Sequence, residues 1–93
     1  MEDLFFLKLC TDGSAFEIRP KSRVVLDLPS LSNQLAEKTE MRIRVNLPAI
    51  LILESDDGRS ITVYPSGKLL LRKFPSEDAV QTIGESLSSI LYS

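Results

Sequence analysis

The chain has no histidine and a single cysteine, Cys10. That removes an internal disulfide, the usual zinc sites and histidine-based acid–base catalysis, and leaves Ser, Lys, Tyr, Asp, Glu and the lone Cys10 as the side chains able to do chemistry. The neighbouring carboxylates Asp56 and Asp57 come nearest to a catalytic or metal-binding pair. They precede Gly58, however, where Asp is favoured for turn conformation, and no base, nucleophile or further ligand accompanies them. No Gly-rich phosphate-binding loop is present. Neither enzymatic activity nor a cofactor is expected. The chemistry that remains is recognition, and it concentrates where Tyr64, Lys68, Leu70 and Arg72 gather an aromatic ring, an aliphatic side chain and two cations in one short stretch.

The elements around that stretch decide which of these side chains share a surface. Ser60 to Arg72 reads as a tight β-hairpin: Pro65 pre-sets a type I turn, Gly67 takes the left-handed position, and Tyr64 stands opposite Lys68. Ile61, Val63, Leu69 and Leu71 then share one face, plain core, while Thr62, Tyr64, Lys68, Leu70 and Arg72 share the other. Ala49 to Glu54 reads as a third strand, opened by Pro48. With Asp57-Gly58 as a two-residue loop, Ile52 would pair with Val63 on the core face, and Leu51 and Leu53 would join the mixed face opposite Tyr64 and Thr62. The predicted binding surface is therefore Leu51, Leu53, Thr62, Tyr64, Lys68, Leu70 and Arg72, too apolar for a sheet face left to water.

Other segments supply the frame. Leu4–Cys10 and Ala15–Arg19 read as a hairpin joined by a turn at Thr11-Asp12-Gly13-Ser14, with Phe16 and Ile18 alternating with Glu17 and Arg19. Lys21-Ser22-Arg23 is a basic link into Val24-Val25-Leu26, which continues the strand or runs extended towards a helix. Asp27 suits a helix N-cap, followed by Pro29 and a stripe of Leu28, Leu31 and Leu35. Met41–Val45 alternates apolar and basic residues and reads as an edge strand or a loop, with Arg42 and Arg44 facing solvent. Ser76 is a second N-cap with Glu77 and Asp78 behind it, and Val80, Ile83, Leu87, Ile90 and Leu91 make an apolar helix face. The expected architecture is α+β: an antiparallel sheet of about five strands with two helices packed on one face, residues 1–93 forming a single domain.

Composition bounds the class. With 43% hydrophobic and 26% charged residues the chain has the make-up of a folded globular protein. It lacks an apolar run of membrane-spanning length and a basic leader, so a cytoplasmic protein without membrane contact is expected. A net charge of −2 and a pI near 5.0 speak against nucleic acid only as a total. The bases Arg19, Lys21, Arg23, Arg42, Arg44, Arg59, Lys68, Arg72 and Lys73 precede a last segment that holds Glu77, Asp78 and Glu85 and no base.

Three places resemble one repeat of the TATA-box-binding protein family. They are Leu26-Asp27-Leu28 leading into a helix, Val63-Tyr64-Pro65-Ser66-Gly67-Lys68-Leu69-Leu70 as a hairpin around Ser-Gly-Lys, and Ser76-Glu77 opening the last helix. The likeness spans roughly Ala15 to Leu91. It implies a curved sheet whose open face enters a widened DNA minor groove, with aromatic wedges between base steps. By position, Tyr64 matches one wedge and Leu70 and Arg72 match groove-facing residues, while the second wedge falls near the aliphatic Leu47. Only one repeat is present, so self-association into a homodimer would be needed to rebuild a two-half saddle. The rival expectation is an assembly module whose same face docks a protein partner or a second copy.

Overall fold

The computed structural model describes residues 4–10 and 15–92, so the turn expected at Thr11–Ser14 lies outside the described residues. Strands β1 (Phe5–Leu9) and β2 (Ala15–Pro20) form the first hairpin. Helix α1 (Leu28–Thr39) carries the chain to the far edge of the sheet, where β3 (Arg42–Leu47), β4 (Ile50–Glu54), β5 (Ser60–Val63) and β6 (Leu69–Arg72) run as a meander, and α2 (Glu77–Leu91) follows. The sheet is antiparallel throughout, with spatial order β1-β2-β6-β5-β4-β3. The fold class is the expected one, with six strands rather than about five because Arg42–Leu47 is a full strand.

Two rows of side chains cross the sheet on its core face. Leu7, Ile18, Leu69, Val63, Leu51 and Asn46 make one, and Leu9, Phe16, Leu71, Ile61, Leu53 and Ile43 the other. Helix α1 adds Leu28 and Leu35, and α2 adds Val80 and Leu87, all essentially without solvent contact. Burying each such side chain contributes about 1.5–3 kcal/mol, which is what holds α2 together despite Gly84 and its serines. Gly84 has a packing reason. A Cβ there would sit 2.8 Å from Ile18 Cδ1 and 3.0 Å from Phe5 Cζ, so the missing side chain is what lets α2 lie close on β1 and β2.

The helix ends are set locally. Ser76 caps α2 by accepting from the Ala79 N–H at 3.2 Å. Asp27 occupies the expected N-cap of α1, but its carboxylate makes no capping bond; its backbone carbonyl accepts from Ser30 Oγ at 2.9 Å instead. Glu40, left-handed at φ 57°, closes α1 as its N–H and that of Met41 return to Glu37 and Ala36.

The β5–β6 turn has the expected form. Tyr64 N–H donates to the Lys68 carbonyl at 3.0 Å, Gly67 N–H to Tyr64 at 2.9 Å, and Gly67 has φ +91°. The turn is packed as well as bent: a Cβ on Gly67 would meet Val24 Cγ2 at 2.5 Å, and the buried Tyr92 hydroxyl donates to the Gly67 carbonyl at 2.5 Å. Residues 21–27 do not continue the strand; they run without regular structure into the start of α1. They form a strap pinned at its two ends, by Lys21 N–H to the Leu4 carbonyl at 3.0 Å and by Leu26 N–H to the Pro65 carbonyl at 2.9 Å.

The β4–β5 loop corrects the predicted register. Ser55 N–H donates to Arg59 at 2.9 Å, Gly58 N–H to Ser55 at 3.1 Å, and Gly58 has φ +93°. This is the same turn as at Pro65–Gly67, with Asp56 included in the loop, and not a two-residue Asp-Gly turn. One extra loop residue slides β4 by one position and turns every side chain over. Leu51 and Leu53 therefore pair with Val63 and Ile61 on the core face, both 0% exposed, and Ile52 faces outward opposite Thr62. Asp57 holds the loop in this form, accepting from the Ser55 hydroxyl and from Arg59 Nε.

Candidate functional site on the open sheet face

No described element lies over the second face of the sheet; the N-terminal hairpin extends its edge and leaves it open. Its central row runs Lys8, Glu17, Leu70, Thr62, Ile52, Val45 across all six strands. On one side of it a row contains Ala15, Arg72, Ser60, Glu54 and Arg42. On the other side, continuing the same registers, stand Phe6, Arg19, Lys68, Tyr64, Ile50 and Leu47. Five of the seven predicted surface residues are thus brought together: Thr62, Tyr64, Lys68, Leu70 and Arg72. Leu51 and Leu53 are not among them, since they face the helices.

The charges on this face are arranged, not scattered. Glu17, only 8% exposed, accepts from Arg19 Nε at 2.6 Å and lies 3.6 Å from Lys8 Nζ. The Arg19 hydrogen bond holds its carboxyl below the usual range, with smaller help from the charges of Arg19, Lys8 and Lys68. At the β3 edge, Glu54 is shared by Arg44 at 2.7 Å and Arg42 at 3.9 Å. Arg44 reaches it because β3 carries an irregularity between Ile43 and Val45 that adds Arg44 to the strand without a partner. Lys68 Nζ sits 4.8 Å from the Tyr64 ring centroid, and Lys21 Nζ 5.2 Å from that of Phe6, so both cations rest on the faces of exposed or half-buried rings.

Where the 21–27 strap passes the β5–β6 turn, a shallow groove of about 780 Å³ opens beside Tyr64's end of the sheet. Arg19, Lys21, Arg23 and Lys68 line it together with Ser22 and Ser66, and no acidic residue does. Among the described residues Arg23 has no ion-pair partner. The opposite layer has the reverse sign: α2 carries Glu77, Asp78 and Glu85 and no base. The polarity hinted at by the order of charges is thus a polarity between two sides of the molecule.

No family model, curated protein or solved structure matches this chain.

The sequence reading missed Ile52, Phe6, Glu17 and the groove-lining Arg19, Lys21 and Arg23 as members of the surface. Ile52 was hidden by the loop count. Arg19 and Glu17 alternate with Phe16 and Ile18 and were legible as the wet side of β2, and Lys21-Ser22-Arg23 was legible as a basic run; neither pattern says that they meet Lys68. Among the described residues no group of three or more His, Cys, Asp or Glu could hold a metal ion. Among the described residues no helix is long and apolar enough to cross a membrane. The face thus sets the aliphatic Leu70, Ile52 and Val45 in its central row and the rings of Phe6 and Tyr64 beside Arg19 and Lys68 in an outer one.

Proposed function

We propose that the open sheet face is a nucleic-acid-binding surface, with phosphates received in the groove of Arg19, Lys21, Arg23 and Lys68. The groove carries the reading: Lys21, Arg23 and Lys68, none of them in an ion pair among the described residues, converge there beside the Glu17-paired Arg19, next to a face bearing the exposed Phe6 and the half-buried Tyr64 and Leu70. Cations that track a phosphate backbone beside rings that can stack on bases or sugars are the two parts such a surface needs. A net negative protein can bind a polyanion when its own charge is divided between two sides, and here the helix layer holds acids while the strap and sheet end hold bases. The resemblance to a TATA-box-binding protein repeat supports the same reading, because it implies a sheet backed by two helices that uses its free face.

The test is titration of a fluorescently labelled duplex and, separately, a single strand, followed by anisotropy across a salt series. Binding is expected to weaken linearly in log–log form, and the Lys21→Ala/Arg23→Ala double variant is expected to lower the salt slope by about 2. Tyr64→Ala is expected to cost about 1–3 kcal/mol if the ring stacks on a base. Failure of both duplex and single strand to bind at low salt refutes the reading. A protein partner is the second reading, favoured by the β3–β4 side of the face. There Val45, Leu47 and Ile52 are apolar, and the neighbouring Arg42 and Arg44 are already engaged by Glu54 and Asp56.

A further inference from the structure

The two edges of the sheet are built differently. β3 is irregular at Arg44 and lined by ion-paired arginines, devices that discourage another strand from pairing there. β1 has neither a break in register nor a proline: Phe5 to Leu9 pair continuously with β2 on one side and with no described strand on the other. Exposed apolar side chains gather on it, with Leu4 45%, Phe6 61% and Leu9 54% exposed.

The hydrogen-bonding direction of β1 can be worked out residue by residue. Lys21 N–H donates to the Leu4 carbonyl at 3.0 Å and Cys10 N–H to the Ala15 carbonyl at 2.8 Å, so Leu4 and Cys10 turn their peptide groups towards β2. Alternate residues do the same in an antiparallel ladder, which places Phe6 and Lys8 inward too. The N–H and C=O groups of Phe5, Leu7 and Leu9 therefore point out of the free edge.

We infer that β1 pairs antiparallel with β1 of a second copy of this chain, about a two-fold axis through Leu7. In that register Leu7 meets its own copy and Phe5 meets Leu9 of the other chain, so every outward N–H and C=O of the strand finds a partner. The side chains fit as well. Phe5, Leu7 and Leu9 lie together on the core side, and on the open side Phe6 faces the second copy's Lys8 in the closely spaced, non-hydrogen-bonded position. A cation then sits beside a ring, twice, and no like charges stand directly opposite. Shifting the register by one ladder step towards Leu9 would put Lys8 against Lys8 and leave Phe5 unpaired. The two sheets become one, their open faces contiguous and their helices on the same side. This assembly is made by the backbone of the edge strand, with Phe6 and Lys8 at the margin of the open face, so it stands whether or not nucleic acid binds.

Sedimentation of the full chain over a concentration series, with hydrogen exchange read at single amides, tests it. The expected mass is twice the monomer's 10.4 kDa, and the amides of Phe5, Leu7 and Leu9 should gain protection as the dimer fills. Phe6→Lys places a lysine opposite Lys8 of the second copy and should shift the chain to monomer, by at least tenfold in dissociation constant; Phe6→Glu places a carboxylate there and should retain the dimer. Circular dichroism checks that both variants are folded, which exposure of the Phe6 ring favours. A monomer at every concentration overturns the inference. So does a dimer in which Leu7 exchanges freely, or one to which both Phe6 variants are indifferent.

Discussion

Replacing Leu53 and Ile52 by alanine, one at a time, tests the register on which the whole open face depends. Leu53 is 0% exposed, opposite Ile61 and under the helices, so Leu53→Ala removes core contacts and leaves a cavity, at a cost of about 3 kcal/mol. Ile52 stands half-buried on the other face beside Thr62, with no described element above it, and Ile52→Ala should cost about 1 kcal/mol. For a chain of this length total stability is roughly 5–14 kcal/mol, so the first loss is a large share and the second a small one. Urea unfolding followed by circular dichroism separates them. With an m-value of about 2 kcal/mol per M, the midpoint should fall by about 1.5 M for Leu53→Ala and about 0.5 M for Ile52→Ala. A two-residue Asp57-Gly58 loop would bury Ile52 and expose Leu53. An Ile52→Ala loss equal to or larger than that of Leu53→Ala would therefore refute the three-residue loop and the surface built from it.

Two smaller perturbations probe the turns. Glu40 pays a left-handed conformation at φ 57° that glycine adopts freely, so Glu40→Gly should raise stability by about 1 kcal/mol, seen as a higher urea midpoint. Asp57 has its carboxyl held down to about 2 from 3.8, first by the Ser55 hydroxyl and then by Arg59. A lowered folded value means the contribution is present above pH 4 and lost as pH falls towards 2. The stability gap between wild type and Asp57→Asn should accordingly narrow over that window, and less steeply in high salt because the turn is exposed; a gap independent of pH would contradict the assignment.

Local chemistry made much of the frame legible. Pro65 and Gly67 specify their turn because one pre-sets φ and the other accepts φ +91°, and Ser76 marks the start of α2 because its hydroxyl can take up a free amide. The apolar stripes on α1 and α2 and the alternation in β2 follow from the periods of helix and strand. The β4–β5 loop was not legible for a specific reason: Asp-Gly serves a two-residue turn and also the end of a three-residue turn with a left-handed glycine. Choosing between them changes the loop by one residue and exchanges Leu51 and Leu53 for Ile52 on the open face.

The binding surface divides in the same way. Tyr64, Lys68, Leu70, Thr62 and Arg72 share a face because one short hairpin of known turn type sets their parity, and that could be read from residue order alone. The groove could not. Arg19, Lys21 and Arg23 meet Lys68 only because the strap crosses beside the β5–β6 turn, held by Leu26 on Pro65 and by Tyr92 and Val24 packed against Gly67. Local sequence determined the turns, caps and alternation, since these depend on neighbours a few residues away. Tertiary packing alone decided which distant cations converge and which strand is left as a free edge, since these depend on how elements remote in sequence bury their apolar faces together.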